Sequence, residues 1–320
     1  MKDRWLFIVN PVAENGKSGK AWNSILKELN KNGIDPVVWQ SEFDGHIEQL
    51  VAKGTAEGFR KIASYGGDGS LHDCVNGVMQ QTSCASEELL LAHYPAGTGN
   101  DWCRMYKVPK KPKAWAQMLL QEQQFKHDVG LIDLIKDDKP AQRYFVNIAG
   151  LAYESICATW IDAARKTAKL LKGKLFYDFL VLKGLFGFEA PVLKFNYDGI
   201  ERQEKLFNMV IAINRYNAGG MMPAPYADPS DGIFDVTTFA DMPMWNVLRD
   251  FPKMRAGTIL KNPKVTAFRT QKVVVNRIDK PDFVEADGEF VGYTPATFSI
   301  KKHALRFVIG EVPEVKVAPF

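Results

Sequence analysis

Short apolar runs alternate with helix-spaced apolar residues through the first third of the chain. Trp5–Val9 is an apolar run closed by Asn10-Pro11. Trp22, Ile25, Leu26 and Leu29 recur at helical spacing within Ala21–Asn32, and Gly33 stands where a C-cap belongs. Pro36–Gln40 reads as a strand, and Ile47–Val51 sits in a second helix. Lys61–Tyr65 reads as a strand that enters Gly66-Gly67-Asp68-Gly69-Ser70. Leu71–Met79 then reads as a helix with Ser70 as its N-cap. Leu89–Tyr94 is a fourth strand, entering Pro95-Ala96-Gly97-Thr98-Gly99-Asn100-Asp101. Strand alternating with helix implies a parallel sheet covered on both faces. Asn10, Asp68 and Thr98 lie just past strand ends, where such sheets bind ligands. Their three loops are therefore expected to converge on one crevice.

The pattern changes after Lys126-His127-Asp128-Val129. Strand-like runs dominate: Gly130–Lys136, Arg143–Ala149, Val192–Tyr197, Phe207–Asn214, Ile233–Phe239, Lys272–Asn276 and Thr297–Ile300. Strands that follow one another without helices predict an antiparallel sandwich. One helical insertion, residues 153–187, interrupts them. The expected organisation is an α/β domain over 1–128 and a β-sandwich domain over 129–301, with 302–320 returning to the first domain. The chain's 320 residues agree with two cores rather than one.

Composition narrows the function classes. At 46% hydrophobic and 24% charged, the chain is of ordinary globular type. A net charge of +4 lacks the concentration of a nucleic-acid-binding tail. Cys74, Cys84, Cys103 and Cys157 have no C-x-x-C spacing, which argues against a zinc site or a disulfide framework. A cytoplasmic setting is expected. No apolar run reaches the length of a bilayer span. Arg165–Phe188 interleaves Lys166, Lys169, Lys172 and Lys174 with large apolar residues, as a helix lying on anionic lipid does. The same pattern also suits a helix that covers the sandwich with its charged face in water.

Three glycine-bracketed acidic motifs carry the candidate chemistry. Glycine lets main-chain N–H groups approach phosphate oxygens, and carboxylates bind Mg²⁺ or accept a proton from a hydroxyl. Phosphoryl transfer needs those elements together. Asn10-Pro11 with Gly16-Lys17-Ser18-Gly19 is not a Walker loop, because Pro11 occupies the position of the first glycine. It reads as a phosphate-facing turn with Asn10 as a polar ligand, or as a solvated loop before a helix. Asp68 faces a phosphate or a metal, or caps a helix. Gly97 and Gly99 expose N–H groups, Thr98 donates its hydroxyl, and Asn100 reads a base or ribose or caps a helix. In Asp287-Gly288-Glu289 the two carboxylates share a face if the backbone is extended. If instead Asp-Gly forms a hairpin turn, they do not. Asp231, in a Pro/Asp-rich loop, is a lone candidate for a divalent cation. The five histidines show no metal-binding spacing, and no G-x-S-x-G elbow is present.

Asn10-Pro11, Gly66–Ser70, Pro95–Asp101, Asp231-Gly232 and Asp287–Glu289 together resemble the diacylglycerol kinase catalytic-domain family. That family includes bacterial lipid kinases and is related to sphingosine and ceramide kinases. The resemblance implies a Rossmann-like nucleotide-binding domain of the NAD kinase and phosphofructokinase type. It also implies an antiparallel β-sandwich domain and an active site in the cleft between the two. It implies that Asn10, Pro11, Gly66, Gly67, Asp68, Gly69, Ser70, Gly97, Thr98, Gly99 and Asn100 hold ATP. Asp68 would also serve Mg²⁺, Asp231 would mark a structural Mg²⁺ site, and Glu289 or Asp287 would deprotonate the lipid hydroxyl. Ser70 stands where Thr is usual in the family, and Ser230 where many bacterial members carry Asp. The expected activity is ATP- and Mg²⁺-dependent phosphorylation of a lipid, diacylglycerol to phosphatidic acid first, within phospholipid biosynthesis. The expected partner is a lipid at a membrane surface, with peripheral association and no nucleic acid. A homodimer is left open. The alternatives are an NAD kinase-like enzyme and a catalytically silent lipid-binding regulator.

Overall fold

The computed structural model describes residues 3–11, 18–159 and 188–320. The chain divides into two units, Met1–Val129 with Lys302–Glu314, and Gly130–Lys301 with Val315–Phe320. The last residues, Val315–Phe320, were expected with the first unit and group instead with the second.

In the first unit, Trp5–Val9 (β1), Val37–Gln40 (β2), Lys61–Gly66 (β3) and Leu90–Pro95 (β4) form a parallel sheet in the order β2-β1-β3-β4. Leu6 sits between Val37 and Ile62, and Ile62 beside Leu91. Residues 306–307 pair in parallel with Leu90 and Leu91. Every position of β1 and β4 is buried, the mark of strands covered on both faces. The helices are Ser18–Lys31 (α1), His46–Ala56 (α2), Asp68–Gln80 (α3), Asp101–Met105 (α4) and Pro112–Gln121 (α5). α1 packs on α5 and α2 on α3. An aromatic cluster fills one side of the sheet: Phe7 lies 5.5 Å from Trp22 and 5.8 Å from Trp115, and Tyr94 lies 5.4 Å from Trp115. α3 begins at Asp68 rather than Leu71, because Gly67 in extended backbone takes the N-cap position. Ser70 therefore belongs to the first turn and is not the cap.

The second unit is built from antiparallel strands. They are Gln124–Lys136 (β5, from Gly130 on), Lys139–Phe145 (β6), Ile148–Ala152 (β7), Val192–Tyr197 (β8), Ile200–Ala212 (β9), Phe234–Ala240 (β10), Val265–Thr270 (β11), Lys272–Arg277 (β12), Phe283–Ala286 (β13) and Glu289–Val308 (β14, to Lys301). One path runs β11-β10-β9-β7-β13-β14, while β8 joins β9 to β12, and β12 returns to β14. The run Arg143–Ala149, read as one strand, is two. β6 ends at Phe145 and β7 starts at Ile148, because the backbone N–H groups of Val146, Asn147 and Ile148 are drawn onto the Asp287 carboxylate.

Alternation along the central strands gives this unit two apolar clusters. Leu151, Met209, Ile211, Phe234, Val236, Val284 and Ala286 point into the sandwich core. Ile148, Val210, Ala212 and Phe239 point the other way. That second face is covered by residues 153–159, which are helical, and by the unforeseen helix Met244–Ala256 (α6). The remainder of the expected helical insertion, with Lys166, Lys169, Lys172 and Lys174, lies outside the described residues. Among the described residues no helix is long and apolar enough to cross a membrane.

Candidate functional site

The loops after β1, β3 and β4 are bonded to one another. Asn10 donates its backbone N–H to Tyr65 O and its amide to Ser70 Oγ, each at 3.1 Å. A Cβ on Gly66 would overlap the Ser70 side chain. Gly67 and Gly97 meet backbone to backbone: a Cβ on Gly97 would lie 2.5 Å from Gly67 Cα. Two bare backbones are therefore what this contact requires. The Asp68 carboxylate accepts the N–H of Asn100 at 2.7 Å and of Asp101 at 3.0 Å. These are N–H groups at the start of α4, so Asp68 caps a helix, but not the one it begins.

Asn100 adopts a left-handed backbone, with φ 50°. Its Oδ1 accepts the Gly97 N–H at 3.0 Å and its amide donates to Gly97 O at 2.5 Å. This side chain shapes its own loop, an arrangement unlike the expected reading of a base or ribose. Thr98 is exposed at the loop tip, between half-buried Gly97 and Gly99. A bare, glycine-flanked tip with an exposed hydroxyl is suited to a polyphosphate. Pro11 follows Asn10, while Gly16 and Lys17 lie outside the described residues. Among the described residues no three His, Cys, Asp or Glu side chains form a metal cage. A Mg²⁺ ion bridging nucleotide phosphates takes only one or two carboxylates and keeps its waters. Both Asp68 oxygens already accept backbone N–H groups and Asp101 pairs with Arg104 at 3.5 Å, so these two carboxylates shape the loop pair, and a Mg²⁺ here would rest chiefly on the nucleotide's phosphates and water.

In the second unit, Asp287 and Gly288 both have positive φ, 53° and 86°, and form the turn between β13 and β14. The hairpin reading of Asp-Gly is the one the chain adopts, so Asp287 and Glu289 do not alternate on an extended strand. Asp287 accepts N–H groups from Val146, Asn147 and Ile148 at 3.2, 2.8 and 3.3 Å. Both its oxygens are committed to holding the β6–β7 turn.

Beside this turn lies a cavity of about 140 Å³, lined by Phe207, Phe239, Met242, Phe251 and Met254 among others, with Gly288 at its edge. Three carboxyl groups missed by the sequence reading line it: Glu154, Glu285 and Asp250, the last paired with Lys253 at 2.8 Å. Glu154 accepts from Asn208 at 3.1 Å and also from Asn217. Glu285 Oε2 accepts the Gly288 N–H at 2.8 Å. Burial pushes Glu154 up to about 7. Burial, then the neighbouring charge of Glu154, holds Glu285 well above the carboxylate range. The readable signal was Glu285 itself, an acid inside the apolar run Phe283–Ala286.

Asp231 does not sit in a cation site. Arg269 pairs with it through Nη2 and with Asp235 through Nε at 3.3 Å, and Asp231 Oδ1 accepts the Ile233 N–H at 2.9 Å. The guanidinium supplies the positive charge expected of a metal, so the residues present do not fit a structural Mg²⁺. Burial still raises Asp235 to about 6, against the opposing pull of Arg269.

Two family models match successive parts of the chain: the diacylglycerol kinase catalytic domain over residues 4–132, and the YegS C-terminal NAD kinase beta sandwich-like domain over residues 153–309. The chain is similar to a diacylglycerol kinase of Mycobacterium tuberculosis, 27% identical over 305 residues that cover 93% of each chain. It is also similar to a diacylglycerol kinase of Staphylococcus saprophyticus subsp. saprophyticus, 21% identical over 318 residues and 99% of each chain. A solved structure of a diacylglycerol kinase from Bacillus anthracis str. Sterne matches with a TM-score of 0.69 at 17% identity, covering 96% of this chain and 97% of that one. Another structure from the same strain reaches 0.77 at 21% identity, covering 96% and 95%. At these identities the solved structures speak for the fold.

Proposed function

We propose, for a chain that belongs to the diacylglycerol kinase catalytic-domain family, the ATP- and Mg²⁺-dependent transfer of a γ-phosphate to a lipid hydroxyl. Diacylglycerol is the first candidate acceptor and phosphatidic acid its product. The observation that carries this reading is the apolar cavity reaching Gly288, the centre of the carboxylate-bearing turn.

The first unit holds the nucleotide. Asp68 fixes the Gly97–Asp101 loop, whose glycines and Thr98 receive the phosphates, and Asn10 and Ser70 brace the neighbouring loops. Mg²⁺, when bound with the nucleotide, neutralises charge on the transferring phosphate. The second unit holds the acceptor, with its acyl part in the cavity. Asp287 is a positioning residue, since its oxygens are occupied by backbone donors. Glu289, two residues on, is the proposed base for the acceptor hydroxyl.

The NAD kinase-like alternative fits less well. Among the described residues, the cavity lining carries Glu154, Asp250 and Glu285 but no Lys, Arg or His, the reverse of what a dinucleotide's phosphates need. Peripheral association with a membrane belongs to the same proposal. Trp245 is 72% exposed at the start of α6, with Arg249 and Arg255 also exposed. Val247, Phe251 and Met254 of that helix line the cavity.

The test is a turnover assay with ATP, Mg²⁺ and detergent-dispersed diacylglycerol, read by mass spectrometry, with NAD as the competing acceptor. Phosphatidic acid is the expected product. NADP formation would move the assignment to the dinucleotide kinases. Lipid binding without turnover on any acceptor would favour the silent regulator.

A further inference from the structure

The apolar run of β9 continues past the end of the strand through Ile213 and stops at Asn214, and both residues are fully buried. An amide without water must find its partners inside the protein. Asn214 finds them on the turn between β6 and β7. Its Nδ2 donates to Val146 O at 3.1 Å and to Asn147 Oδ1 at 2.9 Å. Two acceptors facing one atom require a nitrogen there, and a carboxylate would not serve. The backbone makes the same connection: Asn147 O accepts the N–H of Ile213 at 2.9 Å and of Asn214 at 3.1 Å.

Asp287 holds the same turn from its other side. The N–H groups of Val146, Asn147 and Ile148 go to the Asp287 carboxylate, and the Asp287 N–H returns to Ile148 O at 2.8 Å. The donors of the turn are thus committed to Asp287, and the carbonyls of Val146 and Asn147 to residues 213–214. Glu289 follows Asp287 by two residues, across the left-handed backbone of Asp287 and Gly288. Asn214 also begins the loop that borders the cavity. Three residues on, Asn217 donates to Glu154, and Asn217, Ala218 and Met221 line the cavity. One buried side chain therefore stands between the cavity loop and the turn that carries the proposed base.

We infer that Asn214 is a positioning residue for phosphoryl transfer. It locks the β6–β7 turn, the turn sets Asp287, and Asp287 sets the place from which Glu289 meets the acceptor hydroxyl. This rests on Glu289 being the base of the lipid-kinase reading. Such a lock matters to a reaction governed by geometry, where a displacement of about 1 Å can cost on the order of 10²-fold in rate. The lock can be broken while the packing is kept, because Nδ2 can be exchanged for an oxygen of nearly the same size. In Asn214→Asp the new carboxylate oxygen faces Val146 O and Asn147 Oδ1, and three acceptors then meet without a hydrogen between them.

The test uses the full chain with ATP, Mg²⁺ and dispersed diacylglycerol, at a temperature where circular dichroism shows every variant folded. Asn214→Asp is expected to lower kcat on the order of 10²-fold while KM for ATP stays within about twofold. Asn147→Ala removes only the acceptor at 2.9 Å and is expected to lower kcat by about tenfold, the scale of one hydrogen bond. It carries the test if Asn214→Asp does not fold. Phe195→Leu is the destabilised control: Phe195 is a core residue of β8, which pairs with neither β7 nor β13. It is expected to lower the melting temperature and keep kcat within about threefold. Wild-type kcat in folded Asn214→Asp or Asn147→Ala, or an equal loss in Phe195→Leu, overturns the inference. Amide hydrogen exchange separates this outcome from failure of the kinase reading. Asn214→Asp, unlike Phe195→Leu, is expected to speed exchange at residues 146–148 and 287–289 whatever the reaction. If wild type turns over no acceptor, the kinase reading falls and exchange alone decides the lock, which unchanged rates would overturn.

Discussion

The carboxylate of Asp68, in the first turn of α3, accepts the backbone N–H of Asn100 at 2.7 Å, immediately before α4. Together with the bond to Asp101, this ties the loop after β3 to the loop after β4. Asp68→Ala removes both bonds and leaves two part-buried N–H groups without their acceptor. The expected stability loss is about 1–3 kcal/mol. Turnover should fall on the order of 10²-fold through misplacement of the Gly97–Asn100 loop. Thermal unfolding and ATP consumption with diacylglycerol check the two effects. Wild-type turnover in a folded Asp68→Ala protein would remove Asp68 from the proposed machinery.

Asp287 and Glu289 have different roles in the proposed reading, separable by mutation because Asp287 accepts three backbone N–H groups. Glu289→Gln keeps shape but cannot accept a proton, so kcat should fall by roughly 10²–10⁴-fold with KM for ATP nearly unchanged. Asp287→Asn should instead lower the melting temperature, by about 1–3 kcal/mol in stability, as the β6–β7 turn loses charged acceptors. A kcat collapse in Asp287→Asn with unchanged stability would exchange the two assignments.

What could be read from sequence, and what could not, follows from how local each interaction is. The parallel sheet was legible because its strands are continuous apolar runs and its turns carry glycine. The hairpin at Asp287-Gly288 was legible only as one of two readings, since Asp-Gly specifies a turn while the carboxylate spacing suits a strand. Arg269 was invisible as the partner of Asp231, because the pair is 38 residues apart in sequence and is made only when β11 pairs with β10, which Asp231 precedes. Glu154 and Glu285 were missed for the same reason. Their pairing depends on the absence of a side chain at Gly150, where a Cβ would lie 2.7 Å from Glu285 Oε1 and 2.9 Å from Glu154 Oε2, and no sequence period records that.

The stability of the chain should carry the imprint of the buried pair. Glu154 is raised to about 7 from 4.5 by burial, and Glu285 well above 4.5. A carboxyl raised in this way binds more protons folded than unfolded. Its contribution is complete below the ordinary value and is lost as pH rises through the raised one. His93 acts on the other side: burial lowers it from 6.5 to about 3, so its contribution is lost as pH falls below 6.5. The window above that value therefore isolates the acids. Wild type should lose stability between pH 6.5 and about 8.5, and Glu154→Gln should recover on the order of 3 kcal/mol at the upper end. Denaturant titrations across the window decide it, and parallel pH slopes for the two proteins would contradict the assignment.

Arg269 makes a prediction about metal. Because its guanidinium already bridges Asp231 and Asp235, Mg²⁺ or a chelator should not move the melting temperature of the nucleotide-free wild type. Arg269→Ala leaves two carboxylates facing each other at a cost of about 1–3 kcal/mol, and added Mg²⁺ should then restore part of it. Loss of wild-type stability on chelation would show that a cation does sit in this loop.

A kinase that takes its acceptor from a bilayer needs a surface joining apolar contact to positive charge. On α6, Trp245 is 72% exposed and Arg249 and Arg255 are exposed, while Phe251 and Met254 line the cavity. An aromatic ring at this position suits the membrane interface, where one side of the residue is apolar and the other wet. Each arginine near an anionic surface adds about 1 kcal/mol, so attachment should be reversible and weakened by salt. Trp245→Ala with Arg249→Gln and Arg255→Gln should reduce co-sedimentation with phosphatidylserine-containing vesicles. Turnover on short-chain, monomerically dispersed diacylglycerol should be retained, because the cavity is untouched. Loss of turnover on the dispersed substrate as well would place these residues in acceptor binding. Unchanged sedimentation, indifferent to lipid charge and salt, would leave α6 as a cover of the sheet and return membrane contact to other parts of the chain.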